Sequence, residues 1–193
     1  IRDRDVTGVQ DVCSSDLAGI KSSILSLIDS MIGQVIDKNQ ILTEEMLNDL
    51  CYITSETGRE VAFYINRNGE VIDGFIGDIQ SVVIKEYRER RSMDKLSGIR
   101  CIHTHPNGYG MPSDLDISAL KNLKLDLIIS IGIHEGKIQD SFIAYISKDE
   151  SSFGASIKGP YNVEELLNIN AFNLINEIEA KYNESINDSI NLT

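Results

Sequence analysis

Apolar residues recur at helical spacing at Ile20, Ile24, Leu27, Ile28, Met31 and Val35, which predicts an amphipathic helix over about 19–36. Thr43 is placed to cap a second helix whose first turn carries Glu44 and Glu45. Leu42 and Leu47 form its hydrophobic staple, and Gly58 ends it. From there the period shortens. Val61–Asn66 and Val71–Gly77 flank Arg67-Asn68-Gly69 as a hairpin, and Val82–Ile84 reads as a further strand. Ile99–His105 is a strand that ends in two histidines, and Ile117–Lys124 is helical. Leu127–Ile133 and Ile138–Ile146 form a second hairpin about His134-Glu135-Gly136-Lys137. Asn162 caps a last helix running to about Lys181, and the Asn/Ser/Ile-rich tail from Tyr182 is expected to fray. Helices on a mostly antiparallel or mixed sheet give an α+β fold or αβα sandwich.

Composition narrows the setting. The chain has 193 residues, 41% of them hydrophobic and 25% charged, enough for one domain with a sizeable core plus a helical appendage. No apolar run approaches the roughly 20 residues that span a bilayer, so no membrane role is expected. Three scattered cysteines make no disulfide framework, and the expected compartment is the reducing cytoplasm. The net charge of −12 argues against broad nucleic-acid binding, DNA included. Basic residues do gather in Lys85–Lys95, where Arg88, Arg90, Arg91 and Lys95 could touch RNA or a substrate carboxylate. Interspersed glutamates make a solvated loop the simpler account.

The candidate chemistry lies in His103-Thr104-His105, followed after seven residues by Ser113 and then by Asp116. Residues i and i+2 of a strand face the same way, so both imidazoles can reach one point. The connection Pro106-Asn107-Gly108-Tyr109-Gly110-Met111-Pro112 suits a fixed irregular path, and a helix beyond it brings Asp116 back toward the strand end. Two imidazoles and one carboxylate leave a fourth tetrahedral position open, as in catalytic zinc sites. Ser113-Asp114-Leu115-Asp116 also fits a helix capping box, which alone would account for both residues. Only three histidines occur in the chain, and two sit in this one segment. His134 reads as a hairpin-turn residue. Cys101 shares the strand face of His103 and is a conceivable soft ligand, but a free cysteine in a strand is usually a small buried hydrophobe.

His103-Thr104-His105-Pro106, the spacing to Ser113 and Asp116, and the Pro112-Ser113 pair resemble the JAMM (MPN+, JAB) metallopeptidase signature, including the version in RadC-like proteins. The resemblance implies a cytidine-deaminase-like αβα fold and a zinc ion on His103, His105 and Asp116. It also implies an acidic general base on an upstream strand, and peptide or isopeptide hydrolysis. Glu60, opening Glu60-Val61-Ala62-Phe63, is the best match for that base, with Glu56 and Glu70 as competitors. Ser113 would help to stabilise the developing oxyanion, provided that its hydroxyl faces the metal. Zinc is preferred over iron or manganese, although such a site also accepts other first-row ions.

A second resemblance spans about Ala18 to the 170s. Gly58–Arg67, Ser97–Ile102, Leu120–Asp126 and Gly159–Leu167 are similar to the amino-terminal extension of clostridial-type HflX GTPases. That family binds the large ribosomal subunit and hydrolyses GTP with Mg²⁺ through a carboxy-terminal G domain. The chain contains no Gly-x-x-x-x-Gly-Lys-Ser/Thr loop, so GTP and Mg²⁺ would belong to a G domain outside it. Residues 1–17 resemble translated sequencing-adapter reads and are taken as a non-native leader. Setting them aside removes two arginines and four aspartates and leaves a net charge of −10. The expected organisation is therefore a leader over 1–17, a JAMM-like domain over 18–160, and a helical linker over 161–193. Three functions follow as expectations: the amino-terminal part of an HflX-like ribosome-associated protein, a free-standing zinc peptidase or isopeptidase, or a structural domain that binds metal weakly.

Overall fold

The structure, a computed structural model, describes residues 19–77, 95–149 and 152–190. Its described residues form an α+β fold of one six-stranded mixed sheet and five helices. The elements run α1 (Ser22–Met31), α2 (Glu44–Thr57), β1 (Val61–Asn66), β2 (Val71–Ile76), β3 (Ile99–His105) and α3 (Asp114–Leu123). They continue with β4 (Leu127–His134), β5 (Lys137–Asp149), β6 (Ser152–Tyr161), α4 (Val163–Leu167) and α5 (Ala171–Ile190). The strand order is β2-β1-β3-β4-β5-β6. Every neighbouring pair is antiparallel except β3 and β4, which are parallel and joined through α3.

Local chemistry accounts for most boundaries. The Thr43 side chain accepts from the Met46 amide at 3.1 Å, and Gly58 closes α2 in the left-handed conformation at φ 63°. Leu42 and Leu47 are both buried, as a staple requires. In the β1–β2 turn, Asn66 Oδ1 accepts from the amides of Asn68 (2.9 Å) and Glu70 (3.1 Å), while Gly69 takes φ 88°. Ile128, Ile129, Ile131 and Ile133 of β4 are buried together with Val61–Ile65 of β1, so the two central-sheet faces are both covered. Each such aliphatic side chain contributes about 1.5–3 kcal/mol on burial.

The helices cover opposite faces. Thr54 of α2 meets Thr104 on one face of β3, whereas Asp116 of α3 meets His103 and His105 on the other. The start of α5 is tied to the loop before α2, where the Ala171 amide donates to the Asn39 carbonyl at 2.8 Å. Across the sheet edge, Arg67 is bidentate to the fully buried Asp126 (2.7 and 2.9 Å) and also reaches Glu179 of α5 at 2.7 Å. Both partners hold the guanidinium charged, its pKa pushed up chiefly by the hydrogen bond to Asp126 against the cost of burial. One side chain thus joins the first hairpin, the start of β4 and the last helix.

Several expectations change. The first helix stops at Met31, because Ile32 is extended and Gly33 turns at φ 85°. Val35 lies outside it, is 70% exposed and forms an isolated bridge with Glu70. The residues before α4 form a ten-residue strand, β6, that alternation did not flag, since Gly154, Ala155 and Gly159 dilute its period. The last helix is two, α4 and α5, divided at Asn168–Asn170. The second runs past Tyr182, which is buried, to Ile190. Ala171, Ile175 and Ile178 join the main core, so this segment packs as part of the sheet-and-helix body. No helix among the described residues is long and apolar enough to cross a membrane. The expected strand Val82–Ile84, most of the basic stretch Lys85–Lys95 and the leader 1–17 lie outside the described residues.

Because Asp126 has no exposure, removing Arg67 strips a buried carboxylate of its bidentate partner and leaves it the Gly98 amide and the attraction of the buried Arg100. Arg67→Ala is expected to lower stability by about 3 kcal/mol, read as the shift in a urea unfolding curve.

Candidate metal centre

The carboxyl end of β3 presents His103 and His105 on one face, at 4% and 6% exposure. Register explains their neighbours. His103 pairs with Ala62 of β1 and with Ser130 of β4, and His105 pairs with Gly132. An alanine, a serine and a glycine beside two imidazoles leave room above the sheet, and α3 delivers Asp116 into it. The Nε2 atoms of the histidines are 2.9 Å apart. Asp116 Oδ1 lies 3.2 Å from His103 Nε2, and Oδ2 lies 3.5 Å from His105 Nε2. Donor atoms on a tetrahedral zinc with bonds of about 2.0–2.1 Å stand about 3.4 Å apart. The three protein donors therefore already lie near the edges of such a coordination polyhedron, and among the described residues they form the one group able to hold a metal ion.

The surroundings orient these donors. His105 Nδ1 donates to the Tyr109 carbonyl at 2.8 Å, which leaves the Nε2 lone pair directed at the cluster. Tyr109 is held in turn by a compact loop. Gly108 takes φ 81°, and the Gly110 amide donates to Asp140 Oδ1 at 2.7 Å. The loop lies directly on β4, for a Cβ on Gly132 would fall 2.5 Å from the Gly108 carbonyl oxygen and 2.6 Å from the Gly110 amide. Asp116 is braced from its own helix. Ser113 donates from its amide and from its hydroxyl to Asp116 Oδ2, both at 2.7 Å, and its hydroxyl accepts from the Asp116 amide at 3.2 Å. The capping box and the ligand set are thus one structure: the carboxylate that caps α3 also faces both imidazoles.

That arrangement settles where each expected residue lies. Ser113 is exposed and its hydroxyl is engaged with Asp116 Oδ2, so in this structure it holds the carboxylate. Glu60, half-buried, immediately precedes β1. It lies two residues before Ala62, the partner of His103, so strand alternation carried on from β1 points it to the histidine face, and its charge helps to raise the His105 pKa. Its competitors sit elsewhere. Glu56 is exposed and paired with Lys21 at 2.7 Å, and Glu70 accepts from Asn66 at the far hairpin turn. Cys101 is buried beneath the cluster. Burial and the nearby Asp116 charge push its thiol pKa up, so it remains a protonated core thiol. His134 is 59% exposed at the β4–β5 turn, 3.9 Å from Glu135.

Two contributors carried no signal in the sequence, and a third carried one. The Tyr109 carbonyl is backbone and carries no residue signal. Asp140 is an ordinary acid in a strand. Gly132, an isolated glycine in the apolar run Leu127–Ile133, did signal a close backbone approach. Ser130 adds a fully buried hydroxyl without a hydrogen-bond partner at the position paired with His103.

No protein-family model, no curated protein and no solved structure matches the chain.

Charge balance supplies a test. Burial lowers the His105 pKa, but Asp116, the Tyr109 carbonyl and Glu60 together raise it above its ordinary value. Burial raises the Asp116 pKa, and the hydrogen bonds from His103, His105 and Ser113 override it, holding the carboxyl far below the usual range. Without metal, the His105 proton therefore stabilises the fold below pH of about 6.5 and this contribution fades as pH rises through the folded pKa. The Asp116 contribution is present above pH of about 3.9 and is lost on stronger acidification. A cation must displace the His105 proton. Zinc affinity is expected to fall on the order of tenfold per pH unit between pH 7 and 5, measured by competition with a chromophoric chelator. A pH-independent affinity would contradict this assignment.

Proposed function

We propose that this chain carries a JAMM-type zinc hydrolase site within a cytidine-deaminase-like fold. The observation that carries the proposal is the convergence of His103, His105 and Asp116 within 4.8 Å of one another, with the Glu60 charge near enough to act on His105. The mixed sheet with helices on both faces is compatible with that fold. A zinc ion held there would supply Lewis-acid polarisation of a substrate carbonyl and would acidify water toward a pKa of about 7. His103 and His105, the latter fixed by the Tyr109 carbonyl, and the Asp116 carboxylate would hold it. Glu60 takes a proton from the attacking water and returns it to the departing amine, so that the C–N bond breaks with no net proton gained or lost. Ser113 keeps the Asp116 carboxylate in place and lies close enough in sequence and space to join the oxyanion if its hydroxyl turns from Oδ2. The substrate class is a peptide or an isopeptide.

The wider setting belongs to the same proposal. The similarity of Gly58–Arg67, Ser97–Ile102, Leu120–Asp126 and Gly159–Leu167 to the amino-terminal region of HflX GTPases supports a cytoplasmic, ribosome-associated protein. In it, this domain would accompany a G domain, and contact with the large ribosomal subunit and GTP binding would be properties of the longer protein. The described cysteines, Cys51 and Cys101, are unbridged, which suits a reducing compartment.

Glu60→Gln should retain zinc at the wild-type ratio and lose 10²- to 10⁴-fold, an order-of-magnitude range for a general base, in cleavage of fluorogenic lysine-isopeptide and peptide probes. Wild-type cleavage rates in Glu60→Gln would remove Glu60 from the reaction. Zinc-loaded wild-type protein inert toward both probe classes would contradict the hydrolase proposal.

A further inference from the structure

Thr104 stands between the two histidines in sequence, and strand alternation turns its side chain to the opposite face of the sheet. There its Oγ1 lies 2.6 Å from the Oγ1 of Thr54 in α2, and both residues are buried, at 0% and 1% exposure. Burying hydroxyl groups is costly unless they are hydrogen-bonded, and an apolar side chain of the same size would fill either place. The pair has one further connection. Thr104 Oγ1 accepts from the Val61 amide at 3.0 Å.

Val61 is the residue after Glu60. The registered pairing of β1 with β3 runs from Asn66–Ile99 to Ala62–His103, and the Val61 amide is the next group along. On the other side of the chain, the Glu60 carbonyl accepts from the Gly77 amide at 2.8 Å. The peptide unit joining Glu60 to Val61 is therefore gripped at its carbonyl from the β2 side and at its amide by Thr104. Fixing that peptide plane fixes the position of the Glu60 Cα and the Cα–C axis, so the Glu60 side chain can be re-aimed only by rotation about that one bond and its own torsions.

We propose that Thr104, itself held by Thr54, is a positioning residue for Glu60. The His-Thr-His segment then serves both faces of the sheet. Its imidazoles hold the metal on one, and the hydroxyl between them, reaching the Val61 amide, sets where the carboxylate stands beside His105. Helix α2 enters the site through Thr54, although none of its residues touches the metal cluster. This inference rests on the reading of Glu60 as the group that handles the proton of the attacking water.

The test uses cobalt(II) in place of zinc, with the full chain as wild type, Thr104→Val, Thr104→Ser, Thr54→Val and Glu60→Gln. Metal content, the visible absorption of bound cobalt and hydrogen exchange of the Val61 amide are measured for each. Thr104→Val is expected to bind cobalt at the wild-type ratio and to exchange the Val61 amide on the order of tenfold faster. Its cobalt spectrum should move toward that of Glu60→Gln. Thr104→Ser, which keeps the hydroxyl, should restore wild-type values, and Thr54→Val should shift both readouts in the same direction. A wild-type cobalt spectrum in Thr104→Val, alongside a changed one in Glu60→Gln, would overturn the inference while leaving the base assignment standing. This holds even if amide exchange quickens, for a merely structural bond would give that result. A wild-type spectrum in Glu60→Gln would overturn both. If Thr104→Val fails to fold, the same comparison with Thr54→Val decides.

Discussion

Parallel pairing of β3 with β4 is the constraint on which the rest of the site depends. Two parallel neighbours cannot be joined by a tight turn, so the chain must leave the end of β3, cross one face of the sheet and return to the start of β4. That crossing is the His105–Pro112 loop followed by α3. Its helix begins at the carboxyl end of β3, where the capping residue Asp116 has no choice but to stand above whatever the strand end presents. The strand end presents His103 and His105. The adjoining positions of β1 and β4 are Ala62, Ser130 and Gly132, all small enough to let the loop and helix approach.

Burial then gives the cluster its chemistry. Imidazoles and a carboxylate at 2.9–3.5 Å, mostly removed from water, interact strongly, and an isolated charge among them would be costly. A proton or a cation must balance Asp116, which is why its pKa is low while that of His105 is high. Supporting groups limit the arrangement to one geometry: the Tyr109 carbonyl on His105, the Ser113 amide and hydroxyl on Asp116, and Asp140 on the loop. Far from the cluster, Arg67 and Asp126 anchor the entry of β4, so the strand that fixes Ser130 and Gly132 is itself fixed in register.

The ligand set was legible because strand alternation places His103 and His105 together, and a capped helix start places Asp116 at a definite turn. The capping box and the metal site looked like rival explanations in the sequence. They share one carboxylate, whose Oδ2 accepts from the Ser113 amide and hydroxyl while its two oxygens face the two imidazoles. Glu60 was legible only through resemblance, for what brings its charge to bear on His105 is the pairing of β1 with β3, which no local pattern encodes. The helix boundaries at Met31 and Asn168, and strand β6, were less visible. There glycines, asparagines and tertiary contacts outweigh the apolar period.

Two imidazoles and a carboxylate, without protein sulfur, are the donors that His103, His105 and Asp116 offer a metal. X-ray absorption at the zinc edge, on protein loaded with one equivalent of zinc, reads that donor set. Four or five nitrogen and oxygen neighbours at about 2.0–2.1 Å with the outer-shell scattering of two imidazoles are expected, and His103→Ala should lose the two-imidazole pattern. A sulfur neighbour at about 2.3 Å, which would have to come from a cysteine such as Cys101, or zinc spread over carboxylates without imidazole scattering, would contradict it.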